Sequence, residues 1–166
     1  MNLQEILRKH SLWLAGDPVG QMADLSSADL TGADMTGADL SRANLSMADL
    51  TGADLAVADL AKIREDLAMV LSTAPSEAPG LLLALQEGRI DGSVYNGECA
   101  CLIGTLDNCS RARGETKVLP RDPARPAERW FLAIQPGDKP KNHQVSKITE
   151  TWIKEWIKKN SEGDGR

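Results

Sequence analysis

The stretch ADLSSADLTGADMTGADLSRANLSMADLTGADLAVADL, residues 23–60, returns to the same letters every five residues. Aligned on the third position it gives, with Ala61 and Lys62, eight units centred on Leu25, Leu30, Met35, Leu40, Leu45, Leu50, Leu55 and Leu60. A helix does not explain this period. At about 100° per residue a five-residue step turns the leucines by roughly 140°, so they spiral round the axis and form no face. A strand does not explain it either, because an odd step sends successive leucines to opposite faces. The period is satisfied when the chain turns a corner at every unit and four units close a square coil. Each Leu or Met then points to the axis, with the small Ala two residues earlier beside it. The Asp or Asn and the fourth and fifth residues face outward.

The unbroken A(D/N)LXX pattern over residues 23–62 resembles the pentapeptide-repeat family, whose fold is a right-handed quadrilateral β-helix. The preceding LQEILRKHSLWLAGDPVGQMADLS is similar to the lead-in of phage and prophage members, which implies a viral origin. Eight units make two coils. At the spacing of paired strands the stack is about 10 Å tall, and repeat arrays this short need their ends covered. Residues 20 apart stack, so Asp29 lies over Asp49 and Asp34 over Asp54, giving two flat acidic faces; Met47 shows on the face where Asp24 pairs with Asn44. These carboxylates can be corner hydrogen-bond acceptors that keep the coil soluble, or a docking surface.

The flanks read as helices. Leu3, Ile6, Leu7, His10, Trp13 and Leu14 share one stripe, Gly16 ends it, and the helix is expected to cap the first coil, with residues 63–71 over the second. His10 on that stripe is expected to be a packed, hydrogen-bonded side chain. AKIREDLAMVLSTA and SEAPGLLLALQEG read as helices, the second closed by Gly88. ECACLIGTLDN reads as a buried helix, residues 107–128 as an exposed Pro-rich loop, and RWFLAIQPGD as an apolar run ended by a turn. SKITETWIKEWIKK is an amphipathic helix with Ser146 as N-cap and Ile148, Trp152, Trp156 and Ile157 inward.

Composition narrows the function. The 166 residues carry a net charge of −5 and no polybasic run, which disfavours binding to phosphate backbones or anionic membranes. No apolar run is long enough to span a bilayer, and the charged MNLQEILRKH does not look like a signal peptide. Cys99, Cys101 and Cys109, with His143, give a C-x-C-x7-C set that fits structural zinc spacing poorly, and the first two would point about 200° apart on a helix. Three reduced thiols and no metal are expected. Neither His lies in a nucleophile–base motif, and no phosphate-cradling glycine loop is present. Glu98 is the one carboxylate in a distinctive setting, read as a helix N-terminal residue.

The expected architecture is therefore α+β: an N-terminal capping helix and turn (1–20), a short right-handed quadrilateral β-helix (21–62), a mainly helical C-terminal domain (63–160) and a disordered tail (161–166). The expected function is a non-catalytic, cytoplasmic protein-interaction factor of phage or prophage origin that binds and inhibits a host protein. It has no cofactor, no nucleic-acid or membrane partner, and homodimerisation is left open. Its candidate surface is Asp29, Asp34, Asp49, Asp54, Met47, Trp152 and Trp156. The alternative is an acidic DNA mimic acting on a nucleic-acid enzyme. Long members of the family resemble a duplex in shape and charge, and some act on gyrase. At 3.4 Å per base pair, however, a stack of about 10 Å imitates only about three pairs.

Overall fold

The computed structural model of the chain describes residues 2–45, 48–50, 52–55, 58, 60–94, 97, 100–115 and 119–161. Its regular elements are α1 (Leu3–Leu14), α2 (Ala61–Thr73), a 3-10 turn (Pro75–Glu77), α3 (Ala78–Glu87), α4 (Leu102–Ala112), α5 (Pro126–Phe131) and α6 (Gln144–Ser161).

The expected α+β class with a β-helix is corrected. Among the described residues there is no strand, only isolated parallel bridges: Asp24 with Asn44, Asp29 with Asp49, Asp34 with Asp54, and Ile90 with Ala100. The reason lies in the unit length. Each unit spends most of its residues on the corner and leaves a single residue, the Asp or Asn, to pair with the next coil. Around each such residue the bonds are good. Leu25 N–H donates to the Asn44 carbonyl at 2.9 Å and Asn44 N–H to Ala23 at 2.9 Å; Leu30 and Asp49, and Met35 and Asp54, repeat the pattern. The corners close by bonds such as Ala28 N–H to the Leu25 carbonyl, 3.1 Å, and Ala33 N–H to Leu30, 2.9 Å. Leu25, Leu30, Met35, Leu40, Leu45 and Leu50 are all at most 2 % exposed.

The corner fixes the fifth residue of the unit. Gly32, Gly37 and Gly52 have φ of 65°, 73° and 66°, and Ser27 and Arg42 hold the same left-handed conformation at 55° and 66°. A Cβ costs energy there, and glycine does not. Gly37→Ala is expected to lose about 1 kcal/mol, with no steric clash to confuse the result, because a Cβ built at Gly37 meets nothing within 4 Å. Ser27→Gly should move the other way, by up to about 1 kcal/mol once the extra freedom of the unfolded glycine is deducted. Urea midpoints of the two variants check both signs.

α1 lies against the first coil. Asn2 caps it by accepting Glu5 N–H at 3.2 Å. The chain then turns at Gly16 and folds back so that Gln21 N–H reaches the Lys9 carbonyl at 3.0 Å. Gly20 passes so close to the Trp13 backbone that any Cβ would overlap it. At the far end α2 begins directly after Leu60, and Lys62 pairs with Asp39 at 3.2 Å. One continuous apolar core runs from Ala23 through the coil and on to Ile153 in α6.

Two further expectations change. Residues 107–128 are not one exposed loop: α4 continues to Ala112, Leu119 is buried, and α5 begins at Pro126. The buried Asp66 of α2 explains the start of α5. It accepts Ala127 N–H at 2.9 Å and lies 3.5 Å from Arg125, so a charged side chain caps a helix whose first residue, Pro126, has no N–H to offer. The second change is the N-cap of α6, which is His143 and not Ser146. The His143 carbonyl accepts Lys147 N–H at 3.0 Å, and Ser146 lies inside the first turn. The inward face of α6 is correspondingly Val145, Ser146, Thr149 and Ile153, with Ile148, Trp152, Trp156 and Ile157 on its partly buried flanks. Ser161 ends α6; residues 162–166 lie outside the described residues.

Candidate interaction surfaces

The net negative charge comes from the first sixty residues. Residues 1–60 hold nine Asp and Glu against three Lys and Arg, a net −6, and residues 61–166 hold fifteen against sixteen, a net +1. Asp29, Asp34, Asp49 and Asp54 are all exposed, and the bridges set Asp29 beside Asp49 and Asp34 beside Asp54.

Four of the repeat carboxylates also have a local task. Oδ1 of Asp24, Asp29, Asp34 and Asp39 accepts the backbone N–H two residues on, at 3.1, 3.0, 2.9 and 2.8 Å. That bond rigidifies the corner, as an Asx turn does. The donors at Ser26, Thr31 and Thr36 hold the carboxyls of Asp24, Asp29 and Asp34 below the usual range, and in Asp29 the charge of Asp49 pulls weakly the other way. The side chains are thus ionised, held in place and turned to water at once. Met47 lies outside the described residues.

Trp152 and Trp156 are brought together in a groove of about 420 Å³ between α2 and α6. Ala61, Leu67, Ala68 and Leu71 form its α2 side, and Arg64, Glu65, Glu155 and Lys159 its rim, with Arg64 and Glu155 paired at 2.8 Å. The sequence pointed to the two tryptophans but not to the groove. Its signal was the small residues Ala61 and Ala68, seven apart on α2, which leave room opposite bulky rings. Trp152 also leans on the buried Trp130, ring centroids 5.6 Å apart, so it belongs to the core as well as to the groove.

Of the two described thiols, one is buried and one partly buried. Cys101 is buried and sits just before α4 in extended backbone, so the expectation that Cys99 and Cys101 share a helix is corrected; Cys99 and Glu98 lie outside the described residues. Cys109 packs against Gly80 of α3, and burial raises the pKa of both described thiols. No cluster of three His, Cys, Asp or Glu occurs among the described residues.

Ser146, His143 and Asp138 do form a line: Ser146 Oγ is 3.0 Å from His143 Nδ1, and His143 Nε2 is 3.7 Å from Asp138 Oδ2. The order of atoms looks like a nucleophile, base and orienting acid. The hydroxyl, however, is 0 % exposed, and the same Nδ1 faces Ser146 N–H at 3.4 Å. A nucleophile must reach its substrate, so the line is read as the cap of α6. Burial holds the His143 pKa below its ordinary value, against the charges of Asp138 and Asp49.

Residues 23–55 match the family model described as pentapeptide repeats, in eight copies. No curated protein and no solved structure matches the chain.

Proposed function

We propose that this pentapeptide-repeat chain works by binding another protein, without catalysis, and that it is a phage or prophage accessory factor that blocks a host protein. The observation carrying this is the two exposed carboxylate pairs Asp29/Asp49 and Asp34/Asp54, with Asp29 and Asp34 held by backbone donors, on a coil only two turns deep. Carboxylates pinned by backbone donors keep their geometry without a partner, so binding orders nothing new and loses less entropy. Because Asx turns need only an oxygen at Oδ1, Asn can replace Asp at the corner while removing the charge.

The test is the variant Asp29→Asn, Asp34→Asn, Asp49→Asn, Asp54→Asn. Its melting temperature is expected to hold or to rise slightly, because like charges directly opposite in paired backbone cost on the order of tenths of a kcal/mol each. Host-lysate proteins captured by the immobilised wild-type chain at low salt should be released as salt rises and should not be captured by the variant. Undiminished capture by a normally folded variant rejects the acidic faces as the docking surface and moves attention to the Trp152/Trp156 groove.

A further inference from the structure

Both histidines of the chain are buried. His143 serves the cap of α6. His10 does something else: it ties α1 to the repeat coil through both ring nitrogens. Nδ1 accepts Ala23 N–H at 3.1 Å, and Nε2 lies 3.0 Å from the Ser41 carbonyl oxygen. The N–H needs a bare nitrogen and the carbonyl needs a donor, so the ring is the neutral Nε2–H form. It is 0 % exposed, so no water stands by to take over either bond. A proton added at Nδ1 would set one N–H against another in a sealed site, where an unsatisfied buried donor is costly.

The groups around the ring offer that proton little. From the coil, Asp39 faces it, but its carboxylate already serves Ser41 N–H at 2.8 Å and Lys62 at 3.2 Å. From α1, Trp13 stacks on the imidazole at 5.7 Å, and the Trp13 ring has the Arg42 guanidinium 5.5 Å from its centroid, a second cation close by. Burial accordingly lowers the His10 pKa, outweighing the Ser41 carbonyl and Asp39. His143 differs in having Asp138 at 3.7 Å as well as the charge of Asp49.

We propose that α1 is an acid-released cap: protonation of His10 detaches the helix and uncovers the Leu25 end of the coil, while α4 and the core helices around it stay folded. Besides the Arg42 guanidinium over the Trp13 ring, α1 has other ties that do not titrate in this range. Gln4 Nε2 donates to the Asp34 carbonyl at 3.2 Å, Gln21 N–H reaches the Lys9 carbonyl, and Leu3, Ile6 and Leu7 are only partly buried.

The direction in pH follows from linkage. The docked state binds the proton less readily than the released state. Docking is therefore fully favoured above the ordinary histidine pKa of about 6.5 and is lost as pH falls from there toward the lowered folded value. One proton corresponds to at most a tenfold rise in the released population per pH unit. The carboxylates near α1, Glu5, Asp24, Asp34 and Asp39, are held low and titrate below this window.

The experiment is amide hydrogen exchange on the full chain from pH 7.5 to 5, corrected for intrinsic rates. Protection of α1 should fall by up to tenfold per unit below about pH 6.5, while that of α4 falls less. In His10→Gln, which keeps a donor and an acceptor but no titration, α1 protection should become flat across the window. The ring signals of His10 in the native chain give a second reading that needs no variant. A slope that survives in His10→Gln, α1 protection that does not change with pH, or a native His10 titrating at or above 6.5 each overturns the proposal.

Discussion

Trp130→Ala is expected to lower the unfolding free energy by about 3–5 kcal/mol, the range for removing a large buried aromatic. Trp130 is 1 % exposed, so its removal leaves a cavity that the surrounding helices fill only in part. Its indole N–H donates to Thr149 Oγ1 at 2.8 Å, and that hydroxyl donates in turn to the Val145 carbonyl at 2.7 Å. The chain of bonds joins α5 to α6. Its ring also braces Trp152, which lines the α2–α6 groove. Trp130→Phe keeps much of the volume and loses the donor, so it should cost clearly less than Trp130→Ala. Chemical denaturation of both variants measures the difference. A loss under about 1 kcal/mol for Trp130→Ala would show that α5 is not a keystone of the helical core.

The sequence made the repeat legible because its signal is steric and local. A Leu every fifth residue is compatible with neither helix nor strand, so the corner-turning coil follows from elimination. What could not be read was how little of each side would pair. The period sets the corner, but only the backbone shows that a corner leaves one residue for bridging, which is why Asp29 and Asp49 form an isolated bridge and not a strand. The stripe of α1 was legible for the same reason as the repeat, since helical spacing places His10 on the face that meets the coil.

The helical half was harder to read. In α6 the large residues Trp152 and Trp156 drew the inward face toward themselves, whereas the centre of the buried face is Thr149 and Ile153. Thr149 is polar and is buried because Trp130 supplies its partner from another helix, a fact no local pattern carries. The start of α5 is similar. The run RDPARPAE looks like a solvated loop until Asp66, sixty-one residues away, is seen to accept the Ala127 N–H. Pro126 was itself a helix-start signal in that run, since its fixed φ suits the first helical position.

Removing residues 2–16 is expected to abolish the cooperative transition of the repeat. The reason is the depth of the coil. Two turns give one layer of pairing, and the described residues show it as the reciprocal bonds of Leu25, Asn44, Leu30, Asp49, Met35 and Asp54. Among the described residues no bridge continues that ladder beyond the first turn, so α1 must cover its open end. With α1 present, Ala23, Leu25 and Leu40 are each 1 % exposed and His10 satisfies both Ala23 and Ser41. Without it, those backbone groups and the Leu end of the stack face water, and an array unit without a neighbour or cap is not stable alone. The helical half has its own contacts, α2 with α5 and α3 with α4 and α6, and should retain helical circular dichroism. The expected result is therefore split: far-UV signal from the helices survives, calorimetric cooperativity falls, and exchange protection at Leu25, Leu30 and Met35 is lost. A truncated chain that melts as one unit at the temperature of the whole, with those three amides still protected, would mean that the coil holds itself together through residues 61–161 alone.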